Sequence, residues 1–248
     1  MPQNAYLTVH GHFYQPPREN PWLEDIEPQD TAAPYHDWNE RIYYECYLPN
    51  ATARVLDEHG KIIDIVNNYE AISFNFGPTL LSWLESKHPE TYQKIIEADQ
   101  KSIPQRSGHG NAIAQVYGHV IMPLANRRDK VTQVKWGIEE FKFRFHRNPE
   151  SIWLSETACN DETLEVLIKE GFRFVILEPS QAQSTRALNS DHWQDVSSGS
   201  IDPKQPYRFF LKNDSAKFID IFFFDGPVSK DIGFSNLAFD AKLFAERL

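Results

Sequence analysis

The sequence predicts an α/β domain built on parallel strands, and three observations carry that expectation. Between residues 131 and 179, a helix-period stretch, a strand-like run, a capped helix and a fully apolar strand follow one another. That succession is a βαβ unit, which implies parallel strands buried on both faces. Two further β-prone runs, at 6–9 and 71–76, each lead into Gly- and Pro-containing segments. Finally, 248 residues with 41% hydrophobic and 24% charged content can bury a large core, which favours one domain over 1–248.

The elements follow in chain order. After the run at 6–9, HGHFYQPPRENPW carries Pro16, Pro17 and Pro21, which forbid a long helix or a central strand and predict a rigid loop. Residues 22–38 stay acidic and loop-like, and 40–57 read as largely helical. Gly77-Pro78 ends the strand at 71–76, before Leu80, Leu81 and Leu84 line one face of a short helix. Residues 104–120 are rich in Gly, His and polar side chains, the composition of a site-bearing loop.

Val131, Val134, Ile138, Phe141 and Phe145 then recur at helical spacing until Pro149, and 151–155 reads as a strand. Asn160 suits an N-cap, Asp161 and Glu162 a first turn, and Gly171 a stop, with Leu164, Leu167 and Ile168 facing inward. Residues 174–177, 207–211 and 218–224 are strand candidates, the last two separated by Asn213-Asp214-Ser215. DGPVSKDIGF reads as a loop, and 239–248 as a helix. The strands near Tyr6, Ile72, Ile152, Phe174 and Phe222 are expected to run parallel around one core.

Composition narrows the function. The 35 acidic residues outnumber the 25 basic ones, giving a net charge of −10 without any long basic block, so nucleic acid is not expected as a partner. No apolar run reaches the roughly 18 residues of a membrane span, and the N-terminus lacks a basic stretch followed by an apolar one. A cytoplasmic location follows by default. Cys46 and Cys159 are the only cysteines, too few for a disulfide framework and not spaced as a zinc pair. The 17 Phe, 10 Tyr and 6 Trp supply core, and some of these rings could also stack on sugars.

Functional groups in parallel α/β folds collect where strands end. Glu156, Glu178 and Asp225 sit at such ends, and a glycosidase needs two opposed carboxyl groups. Glu156 follows IWLS, so its carboxylate should emerge at a rim beside Trp153. Glu178, fixed before Pro179, reads as structural, and Asp225 is divided between a site acid and a plain turn residue. His10 and His12 straddle Gly11 and alternate to one side. Sugar binding is preferred for this pair over a metal, which would need a further donor such as His109, His119 or a carboxylate. His109, Asn111 and His119 in SGHGNAIAQVYGH make a polar wall, and that segment has no phosphate-loop spacing.

The order of these segments resembles glycoside hydrolase family 57. HGHFYQPP resembles that family's opening His-Gln-Pro element, with Phe13-Tyr14 inserted before Gln15-Pro16. ISFNFGPTLL resembles its second strand, GHGNAIAQVYGHVIMPL stands at the next signature in a departed form, and FFFDGPVSKDIGF resembles a later aromatic strand and loop. PESIWLSETA resembles the segment holding the nucleophile, which maps onto Glu156.

The resemblance implies an incomplete (β/α)7 barrel of parallel strands, of which 1–248 is the N-terminal portion, truncated at its C-terminal side. It implies retaining chemistry on oligo- or polysaccharides of α-glucan type, with no cofactor and an acid/base aspartate beyond Leu248. His10, His12, Gln15, His109, Asn111, Trp153 and Asp225 are the expected substrate contacts, lining one cleft with Glu156. The competing readings are a metal-dependent, deacetylase-like hydrolase using His10, His12 and Asp225, and a sugar-binding module without catalysis.

Overall fold

The computed structural model describes residues 6–248. Residues 1–5, part of the N-terminal stretch read as lacking a leader, lie outside it. The chain divides into two compact units, 1–118 with 136–149 and 119–135 with 150–248. Among the described residues no helix is long and apolar enough to cross a membrane.

In the first unit, strand His10–Phe13 pairs in parallel with Ser73–Phe76, and Phe74 bridges in parallel to Ala112. The first strand thus begins just past the β-prone run at 6–9, although the carbonyl of Val9 already accepts from the Ser73 amide. The register sets His10 beside Ser73, Gly11 beside Phe74, His12 beside Asn75 and Phe13 beside Phe76. Because side chains alternate, one face of the pair is polar and the other aromatic. Phe13 stacks on Phe76 at 4.7 Å between centroids, and Tyr69 meets Phe13, Phe74 and Phe76 at about 5.5 Å, forming a buried ring cluster.

Helices enclose that cluster. Asp37 caps Trp38–Ile42 by accepting from the Asn39 and Glu40 amides, and the helix passes through a wide turn, Tyr43–Tyr47, before Leu48–Ala51. The helical stretch expected over 40–57 therefore stops early. Ala53–Leu56 and Ile62–Val66 form an antiparallel hairpin with exposed apolar side chains. Helices Pro78–Lys87 and Pro89–Gln105 each place proline in the first turn, where its missing N–H costs nothing. The second of these was not expected, and it moves the start of the loop predicted from 104 two residues later.

Asp99 on that helix is fully buried. It accepts from Arg147 Nε and Nη2 at 2.8 Å each and from the Ala112 amide at 2.7 Å. A β-carbon at Gly110 would land on this pair, which explains the glycine.

In the second unit, Ser151 bridges in parallel to Phe174, and Phe174–Leu177 pairs in parallel with Asp214–Phe223. Helix Asp161–Lys169 lies between these strands in sequence, so the βαβ unit forms as expected. Asn160 caps it through the Thr163 amide at 3.0 Å, and Gly171 adopts φ 90° just past its end. Tyr207–Leu211 adds an antiparallel edge to Asp214–Phe223.

Three expectations need correction here. The strand at 151–155 is only Ile152–Trp153, because the chain turns at Ser155. The expectation of burial on both faces fails: Ile219, Ile221 and Phe223 are buried, while Phe222 between them is 44% exposed. DGPVSKDIGF is not a loop but helix Gly226–Phe234, capped by Asp225.

Candidate functional site

The second unit carries the acid singled out from sequence. Leu154 and Ser155 are fully buried, the chain turns through Ser155–Thr157, and Glu156 stands exposed between buried neighbours. Its backbone is left-handed at φ 53° and ψ 21°, and Thr157 follows at φ 52°. Two consecutive residues with β-carbons in this region are costly, doubly so when one is β-branched, and such strain gathers at functional positions. The turn is held by the Thr157 amide on the Leu154 carbonyl at 2.9 Å and by the Ala158 amide on the Ser155 carbonyl at 3.0 Å. The hydroxyls of Ser151 and Ser155 are buried without a hydrogen-bond partner among the described residues. Trp153 is half-buried.

His119 also belongs to this unit and is left-handed at φ 51°. Burial lowers its pKa, and the negative charge of Glu156 acts in the opposite direction. The two groups thus share an electrostatic environment despite their separation in sequence, a proximity that no local motif announces. The other two acids are occupied. Glu178 accepts from the Ser180 amide at 2.8 Å, which is the structural role expected of it, and exposed Asp225 accepts from the Val228 amide at 3.0 Å as an N-cap. Burial pushes the Cys159 thiol up to about 12, which keeps it from forming a reactive thiolate.

In the first unit, His10 and His12 lie on the polar face of the parallel pair. His10 Nδ1 is 2.9 Å from Ser73 Oγ, and its Nε2 is 3.1 Å from Asn75 Oδ1. Asn75 Nδ2 lies 3.0 Å from His12 Nδ1 and 2.7 Å from Gln115 Oε1. Ser73, Asn75 and Gln115 were missed from sequence. The signal was the pair of polar residues at alternate positions of ISFNF, which register places opposite the two histidines.

The remaining residues are placed as follows. Gln15 accepts from Arg18 Nη2 at 2.7 Å and donates to the Tyr47 hydroxyl at 3.2 Å, so both ends of its amide are engaged. Asn111 is buried and donates to the Tyr69 and Glu70 carbonyls at 3.1 and 2.9 Å. His109 is exposed on its loop. Among the described residues no group of three or more His, Cys, Asp and Glu gathers as metal donors. Both nitrogens of His10 are already hydrogen-bonded, which does not suit a ligand set.

Parallel strand pairs, with a helix linking those of the second unit, define an α/β protein. The particular family follows from comparison. The chain belongs to glycosyl hydrolase family 57, whose model matches residues 6–248.

Alpha-amylase 1 of Dictyoglomus thermophilum is 28% identical over 121 residues, 48% of this chain and 17% of that protein. The fold is similar to 4-alpha-glucanotransferase from Thermococcus litoralis, with TM-score 0.61 at 14% identity over 94% of this chain and 29% of that one. It is similar also to an exo-type maltose-forming amylase from Pyrococcus sp. ST04, with TM-score 0.61 at 18% identity over 92% and 36%. The chain thus spans about a third or less of these proteins' lengths.

Proposed function

We propose that this chain forms part of the catalytic barrel of a retaining glycoside hydrolase or glucanotransferase acting on α-glucans, with Glu156 as the nucleophile. The observation that carries the proposal is the exposed carboxylate of Glu156, held in a strained left-handed turn straight after strand Ile152–Trp153 in a family 57 chain. The relatives described as an amylase and a 4-alpha-glucanotransferase support an α-glucan substrate.

In this reading the Glu156 carboxylate attacks the anomeric carbon, forming a carbon–oxygen ester bond as the glycosidic bond breaks. A second carboxyl group protonates the departing oxygen. It then removes a proton from water or from an acceptor hydroxyl, which displaces Glu156 and restores the carboxylate. Water completes hydrolysis, and a sugar acceptor completes transfer. Asp225 and Glu178 are not assigned the acid role, because both already serve as helix caps. His12 supplies a hydrogen bond to a sugar hydroxyl.

The test is Glu156→Gln in the longest natural form of the protein, assayed on maltooligosaccharides. Turnover should fall by about three orders of magnitude or more while binding changes little, since the substitution removes a bond made only along the reaction path. Undiminished turnover would remove Glu156 from the mechanism.

A further inference from the structure

The polar face of the parallel pair holds a set of hydrogen bonds that bears on where the protons of two histidines lie. Asn75 is buried and sits between both rings. Its amide has two protons and one oxygen to distribute. One proton goes to Gln115 Oε1 at 2.7 Å and the other to His12 Nδ1 at 3.0 Å, while the oxygen receives His10 Nε2 at 3.1 Å. Asn75 Oδ1 also lies 3.3 Å from His12 Nδ1, but the 3.0 Å contact to the amide nitrogen is the shorter of the two.

We infer that Asn75, held by Gln115, is a positioning residue that keeps His10 and His12 neutral with their protons on Nε2, so that His12 meets a sugar hydroxyl as a donor through Nε2. The role of His12 rests on the proposed glucan chemistry; the proton placement does not.

Each link supports the others. His10 donates through Nε2, so its Nδ1 must accept from the Ser73 hydroxyl, as the 2.9 Å contact allows. Burial opposes a second proton on the ring, holding its pKa at about 4. His12 cannot carry a proton on Nδ1 without confronting the Asn75 amide. Gln115 is 4% exposed, and its Nε2 is buried without a hydrogen-bond partner among the described residues. An unpaired buried donor is an unusual cost. Its oxygen is committed to orienting Asn75 at that expense, which ties a residue remote in sequence to the protonation of the first strand.

Turning over both amides would reverse the pattern. Asn75 would then donate to His10 and accept from His12, and both rings would carry their protons on Nδ1. The two arrangements are mutually exclusive, and histidine nitrogen shifts in a long-range proton–nitrogen NMR correlation separate them. At pH 7 the wild-type protein should show His10 and His12 as neutral Nε2–H tautomers. Asn75→Asp replaces the donor with an acceptor and should move the His12 proton to Nδ1. Asn75→Ala should leave His12 a mixture of tautomers and weaken maltoheptaose binding about tenfold, as expected for losing one oriented hydrogen bond.

A wild-type His12 carrying its proton on Nδ1 overturns the inference without any variant having to fold, and so does a His12 tautomer indifferent to Asn75→Asp. The NMR readout needs no turnover. If the tautomers behave as stated but no glucan is bound or cleaved, the positioning role stands and the proposed function fails.

Discussion

Replacing Glu156 with glycine should make the protein more stable while abolishing its chemistry. An L-residue in the left-handed region costs roughly 1–2 kcal/mol. Glycine escapes that cost but brings roughly 0.5–1 kcal/mol of extra chain entropy to be lost on folding. The Glu156 side chain is exposed, so its removal forfeits little packing. The balance favours Glu156→Gly by about 0.5–1 kcal/mol over wild type.

Glu156→Gln and Glu156→Ala keep the strained turn and should stay within about 0.5 kcal/mol of wild type. Urea unfolding of all four proteins, compared at a common slope, reads the differences directly. On the proposed mechanism all three variants lose glycosyl transfer. A Glu156→Gly protein less stable than Glu156→Ala would refute the claim that this turn is strained for function.

Two further outcomes follow from buried groups. His10 has its pKa lowered to about 4, chiefly by burial, against 6.5 in the unfolded chain. Its contribution is fully present above pH 6.5 and is lost as pH falls towards 4, because the unfolded state takes up the proton first; the loss amounts to about 3 kcal/mol. Unfolding curves from pH 7.5 to 4 should show it, and a His10→Gln variant should flatten that slope. Gly110→Ala drives a methyl group into the Asp99–Arg147 pair and should destabilise by about 1–3 kcal/mol, seen as a lower thermal midpoint. An unchanged midpoint would mean that the pair relaxes freely.

The sequence was most legible where local signals agreed. From Asn160 to Leu177, cap, periodicity, glycine stop and apolar strand pointed to one answer, and the parallel βαβ unit formed. It was least legible where one signal had two meanings. Asp225-Gly-Pro is a turn motif, yet aspartate followed by proline in the next positions is equally an N-cap and a first turn, and helix Gly226–Phe234 took the second meaning. Of the exposed hairpin, Ala53–Leu56 fell within the stretch read as helix and Ile62–Val66 was given no element, since hydrophobicity does not announce its own exposure.

For the candidate site, chemistry was readable one residue at a time and pairing was not. Glu156 stood out by its place after a strand, but its left-handed turn has no glycine to mark it. Asn75 and Gln115 acquire meaning only once the register sets Asn75 beside His12.

That register has an evolutionary corollary. Strand His10–Phe13 presents histidines to one side and a phenylalanine to the other, against a partner that alternates in the same way. Deleting a single codon between Val9 and Phe13 would turn imidazoles towards the aromatic cluster and a phenyl ring towards the amides. Drift in length is therefore closed to this segment. Proton placement and core packing are written in alternating letters of one short word, so any frame that preserves folding preserves the site with it.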